Sequence, residues 1–157
     1  MNHEGCPGSR IIDRSREESA DSATTEIPCQ LRQWPVQMHL VSPNAPYFQG
    51  ADVLLSADCV AFALGSFHSD HLKGKALGIA CPKLDEGQDI YVEKVKGLID
   101  EAKINTLTVM IMQVPCCRGL LAMAVESAKQ AERKIPIKLQ VVSLEGEILQ
   151  DEWVDVA

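Results

Sequence analysis

Between Trp34 and Leu40 the chain alternates: Trp34, Val36, Met38 and Leu40 are interleaved with Gln37 and His39, a period of two that predicts a strand with one buried face. The Pro and Asn residues of VSPNAPYF end it. Residues 51–62, ADVLLSADCVAF, form an aliphatic run that reads as a buried strand leading into a loop at Asp58 and Cys59. Residues 75–80, KALGIA, form a second short apolar run, stopped by Cys81 and Pro82. The period then changes. Tyr91, Val95, Leu98, Ile99 and Ala102 lie on one stripe of an amphipathic helix between Gln88 and Lys103. Residues 106–114, TLTVMIMQV, predict a strand closed by Pro115. A second helix follows from Arg118 to Lys134, with Leu121, Ala124, Val125, Ala128 and Ala131 on one side. Residues Ile137 to Leu144 supply the last strand, and Glu145-Gly146-Glu147 a turn.

Apolar strands alternating with amphipathic helices are what a parallel sheet covered on both faces requires. The expected fold is therefore three-layer α/β, a mostly parallel, Rossmann-like sheet with helices on both faces. Residues 1–30 show neither period and read as a flexible N-terminal arm; residues 31–157 read as a single α/β domain.

Composition narrows the function. The 157 residues are 46% hydrophobic and 24% charged, the make-up of an ordinary folded domain. No apolar run is long enough to span a bilayer, and the N-terminus does not read as a secretory signal, so the expectation is a cytoplasmic protein with no membrane association. Fifteen Lys and Arg against 22 Asp and Glu leave a net charge of -7, which argues against nucleic acid as a partner. Neither G-x-G-x-x-G after a strand nor G-x-x-x-x-G-K-[ST] occurs, so nucleotide binding has no positive support. Six cysteines in such a chain point to metal ligation or redox chemistry more than to disulfides.

The placement of these cysteines is the strongest signal. Cys59 closes one predicted strand, Cys81 follows the next, and Cys116 with Cys117 follow the third. Loops at the carboxyl ends of parallel strands share one rim, where ligand sites gather. Cys116 and Cys117 also precede a helix, whose N-terminal dipole favours the thiolate. Cys6, in the arm, is a candidate fifth thiol, because a chain of that length can reach across a small domain. Any one cysteine is as readily a small buried hydrophobe, but four on one rim are not. Cys29 follows no strand and is the expected bystander. Four or five soft thiolates suit zinc or an iron–sulfur cluster, and spacing alone does not choose, since neither C-x2-C pairs nor the C-x2-C-x2-C run is present.

The stretches CPGSR, LRQWPVQMHLVSPNAPYF, GADVLLSADCVAFALGSFH, LKGKALGIACPKLDEGQ, INTLTVMIMQVPCC and IPIKLQVVSLEGEIL together resemble a prokaryotic family of iron–sulfur proteins, labelled 4Fe-4S binding or ferredoxin-like. The resemblance runs from Leu31 nearly to the end, plus the Cys6 motif. It implies an iron–sulfur cluster, of the 4Fe-4S type, bound by Cys6, Cys59, Cys81, Cys116 and Cys117. It also implies a role in electron transfer with a redox partner such as a ferredoxin or an oxidoreductase. Two departures stand out. Longer members carry a two-cluster ferredoxin segment upstream that is missing here, and members read C-C-G-G where this chain has Cys116-Cys117-Arg118-Gly119.

Other candidates are weaker. His68 and His71, around Asp70, read as solvated or capping residues before they read as ligands; His39 lies on the polar side of its strand beside the rim; Asp58 reads as a turn cap; Lys83 and Asp85, after Cys81-Pro82, read as solvated loop charges before they read as groups that neutralise or hydrogen-bond a cofactor. Met110, Met112 and Met123 read as core filling. No catalytic triad or paired-carboxylate arrangement stands out, which leaves whether the chain is an enzyme open. Two further functions fit the same residues: a zinc- or thiol-dependent enzyme on a small substrate, and a cofactor-free subunit of a redox complex.

Overall fold

In the computed structural model, which describes residues 11–14 and 25–156, the apolar runs form one sheet. Its strands are β1 (Asp52–Ala57), β2 (Ala76–Ala80), β3 (Thr106–Met112), β4 (Ile137–Val142) and β5 (Ile148–Val154). The first four are almost continuously buried, as strands covered on both faces must be. They lie parallel in the order β2-β1-β3-β4, and β5 joins the far edge antiparallel. The α/β expectation holds.

The connections are the short helix α1 (Val60–Ala63) with a π-helical turn over Phe67–Leu72, then α2 (Gln88–Asp100), then α3 (Arg118–Gln130). The chain travels one way along the sheet from β1 to β2 and the opposite way from β2 to β3 and β4. Right-handed crossovers therefore put α1 on one face and α2 and α3 together on the other. Helices α2 and α3 do pack side by side. The expected stripe of α2 is buried along its length, from Tyr91 to Ala102. That of α3 is rotated: Leu120, Met123, Ala124, Ser127 and Ala128 are buried, while Leu121 and Val125 are half-covered. Ser127 tolerates burial because its hydroxyl donates to the Met123 carbonyl, 2.8 Å away. Met110, Met112 and Met123 are core residues, as expected.

Two expectations are corrected. Residues 34–40 are not a strand with one buried face. Only Gln37 forms a bridge, parallel to Ile79, and Trp34 and Leu40 are 77% and 68% exposed. The chain here lies along the edge of β2 and seals it. Met38 N–H donates to Ile79 O and Ile79 N–H to Val36 O, and the buried side-chain amide of Gln33 bonds both the N–H and the C=O of Leu77 at 2.8 Å. The second correction is β5, beyond the strand expected to be last. Five of its seven residues are exposed, so it carries no apolar run to announce it. Most of the expected arm lies outside the described residues; within it, Arg14 pairs with Glu145 of the β4–β5 turn at 3.0 Å.

Candidate functional site

The strand order fixes where the site lies. Because the chain leaves β1 in one direction along the sheet and β3 in the other, the loops after these strands diverge and open a crevice at their carboxyl ends. Cys59 follows β1 and caps α1; Cys116 and Cys117 follow β3 in a tight turn over Pro115–Cys117 that runs directly into α3. Cys81 follows β2 without a gap. The β1–β2 ladder continues one step past the strand end, with Asp58 N–H donating to Ala80 O at 3.1 Å, so Cys59 and Cys81 leave the sheet side by side. Ser56 of β1 pairs with Met110 of β3, which sets the third cysteine-bearing loop at the same end. The loops also touch: a Cβ on Gly119 would stand 3.2 Å from Pro82 Cβ.

The four thiols form an electrostatic group. Burial pushes the Cys59 thiol up from its ordinary value, and the nearby Cys81, Asp58 and Cys116 push it further. Cys117 is buried and is pushed up to about 11, chiefly by burial, with Cys116 and Cys59 adding and a backbone hydrogen bond at Met112 opposing. Burial at Cys117 thus opposes the thiolate that the start of α3 is expected to favour. Cys59 is exposed and Cys81 and Cys116 half-buried, so the group is open to a ligand from outside. Among the described residues, no three His, Cys, Asp or Glu converge as they would around one metal ion.

Behind Cys81 the loop is braced. Asp85 accepts the Cys81 N–H at 2.9 Å while its own N–H bonds the Cys81 carbonyl, and the buried Tyr91 hydroxyl donates to the same Asp85 oxygen at 2.5 Å. Burial and the Asp85 carboxylate raise the Tyr91 phenol, which stays a donor. The His39 ring packs at a tilt against Tyr91 with centroids 4.4 Å apart, and its Nε2 lies 2.7 Å from the Glu86 carbonyl. His39 thus supports the loop that follows Cys81. Asp58 is the unexpected member. One of its carboxylate oxygens, Oδ1, is buried with no hydrogen-bond partner among the described residues, and desolvation together with Asp85 raises its pKa.

Cys6 lies outside the described residues. Cys29, the expected bystander, is exposed and lines a separate apolar cavity with His68, whose Nδ1 accepts the Gln30 N–H. Lys83 and Arg118 are exposed beside the rim. The Tyr91 brace and the cavity were not expected from the sequence. The hint of the brace in the sequence is an Asp four positions after Cys81.

A family model described as a Rossmann-like domain matches residues 45–156, a stretch that contains all four rim cysteines and excludes Cys6 and Cys29. An uncharacterized protein of Archaeoglobus fulgidus is 34% identical over 105 residues, covering 67% of this chain and 72% of the relative. No solved structure matches the chain.

Proposed function

The chain belongs to the Rossmann-like domain family, and from that premise we propose that it is an iron–sulfur protein of electron transfer, with a 4Fe-4S cluster bound at the rim of its sheet. Cys59, Cys81, Cys116 and Cys117 would be the ligands, with Cys6 completing or covering the set. The observation that carries this reading is the gathering of four cysteines, from positions 59, 81 and 116–117, on the loops that follow three adjacent parallel strands. The donor set fits: all are soft sulfurs, three are reachable from solvent, and a cluster's irons supply the positive charge that such a crowded group lacks. A cubane takes each ligand on a different iron, so its thiols stand apart by the width of the cluster and need not meet at one point. When bound, the cluster supplies a one-electron redox centre. The chain's own part is to hold the three loops, with Asp85 fixing Cys81 and the turn at Pro115 presenting Cys116 and Cys117.

Anaerobic purification tests this. The expected product is brown, with iron and acid-labile sulfide in equal amounts and a reversible bleaching on reduction. Stoichiometric zinc without sulfide would replace the cluster by the zinc enzyme reading. A colourless chain that takes up neither iron and sulfide nor zinc on reconstitution would leave the redox-subunit reading.

A further inference from the structure

The buried stripe of α2 asks only for apolar side chains, and a phenylalanine would fill position 91 as well as any. The chain has a tyrosine there, fully buried, whose hydroxyl donates to Asp85. The same oxygen of Asp85, Oδ2, accepts the Cys81 N–H, so one carboxylate oxygen ties the first turn of α2 to the residue that follows β2. Two more contacts close the loop between them: Gln88 Nε2 donates to the Pro82 carbonyl, and His39 Nε2 lies 2.7 Å from the Glu86 carbonyl. The loop is confined on its other side by α3, since a Cβ on Gly119 would stand 3.2 Å from Pro82 Cβ. Among the described residues the ion pairs, Arg14–Glu145 and Lys138–Asp151, lie elsewhere, so it is the phenol and the backbone N–H that meet the Asp85 carboxylate.

We propose that Tyr91 is a positioning residue for the iron–sulfur centre: through Asp85 its hydroxyl fixes Cys81 where β2 ends and draws part of the carboxylate's charge away from the centre. What Cys81 holds rests on the cluster reading; that Tyr91 fixes Cys81 does not. A carboxylate oxygen with two donors is confined in rotation, and a ligand whose backbone is confined meets its metal in one orientation. The hydroxyl has a second effect. A carboxylate near a cluster opposes the negative charge gained on reduction, and a donor to that carboxylate weakens the opposition.

Three variants of the full chain test this: Tyr91→Phe, which removes the hydroxyl and keeps the ring against His39, Asp85→Ala, and the two together. In the metal-free chain, deuterium exchange of the Cys81 amide, read by NMR, should quicken about tenfold in Tyr91→Phe. The Asp58 amide, bonded to the Ala80 carbonyl at the same end of the sheet, should keep its rate. Asp85→Ala should quicken the Cys81 amide at least as much, and the double variant no further than Asp85→Ala alone, because the hydroxyl acts through the carboxylate. In the iron-loaded chain the midpoint potential should move in opposite directions: down in Tyr91→Phe, which leaves the carboxylate less offset, and up in Asp85→Ala, which removes it. A mere loosening of the loop would move both the same way. An unchanged Cys81 rate in Tyr91→Phe, an equal rise at Asp58 or a further rise in the double variant would overturn the positioning, whether or not a cluster binds. Potentials that stay put or move together would overturn the effect on the centre. A chain that binds no cluster would overturn the cluster reading and not the hold of Tyr91 on Cys81, which the exchange rates decide.

Discussion

A thiol at a strand end answers to two opposed influences, the desolvation that keeps it protonated and the positive charge that draws it to a metal. In Cys59 and Cys117 the first dominates. Bound iron would reverse it, and Cys59 and Cys81 are each the single cysteine of their loop. Cys59→Ser, Cys81→Ser and Cys117→Ser should each lose most of the bound iron, whereas Cys29→Ser should keep it; iron and sulfide analysis of the four variants checks this. Equal loss from Cys29→Ser would mean that the ligands are not the rim cysteines. Asp100, far from the thiols, illustrates the opposite case for a charged group. Its carboxylate accepts the Arg133 N–H at 2.9 Å and the Glu132 N–H at 3.1 Å, bonds that, with Lys96 and the Arg133 charge, hold it below its ordinary 3.8. A depressed carboxylate stabilises the fold above its unfolded pKa and loses that contribution as the pH falls through the folded one. The urea midpoint should therefore drop more steeply below about pH 4 in the natural chain than in Asp100→Asn; parallel curves would show that the bonds do not couple to folding.

At the scale of elements, β2 is a sheet edge without a further strand, and Gln33 closes it with a side chain. Replacing it by Ala leaves both the N–H and the C=O of Leu77 unbonded in a buried setting. Gln33→Ala should cost about 1 to 3 kcal/mol of stability, measured by urea unfolding, with the sheet intact by circular dichroism. A cost near zero would mean that water replaces the amide at this edge. The same edge explains what the sequence did and did not disclose. Strands β1 to β4 and helix α2 were legible because burial on both faces demands an unbroken aliphatic run, and burial on one side demands a stripe. An edge relaxes that demand. Residues 34–40 kept an alternating pattern but use it to seal β2 with a single bridge, and β5 places Gln150, Asp151, Glu152 and Trp153 in water while its backbone pairs with β4. The stripe of α3 was misjudged for a related reason: Ser127 is buried as readily as an alanine once its hydroxyl returns to the helix.

For the whole molecule, the cysteine rim was legible from one rule, that loops after parallel strands share an edge; the order of the strands was not. That order places β1 beside both β2 and β3, and so brings Cys59 between Cys81 and the Cys116-Cys117 pair. It also places the β4–β5 turn at the same end, since β4 runs parallel to β3. The turn is held there tightly: a Cβ on Gly146, whose φ of +84° already favours glycine, would stand 2.5 Å from the Ala63 carbonyl oxygen at the end of α1. Arg14 pairs with Glu145 of this turn, and Ile12 and Arg14 line a small pocket with Leu144. The N-terminal segment is thus moored at the end of the sheet that carries the thiols. Cys6 precedes Ile11 by five positions, a reach of up to roughly 17 Å if extended. The ion pair alone is worth little, about 0 to 1 kcal/mol, so the mooring needs a second tie to persist. A bond from Cys6 to the cluster would be that tie. Tryptic cleavage after Arg14 and Arg16 should then slow markedly in the iron-loaded chain relative to the metal-free one, and Cys6→Ser should restore fast cleavage. If the two forms are cut at the same rate and deletion of residues 1–10 leaves the iron content unchanged, the four rim cysteines hold the cluster without Cys6.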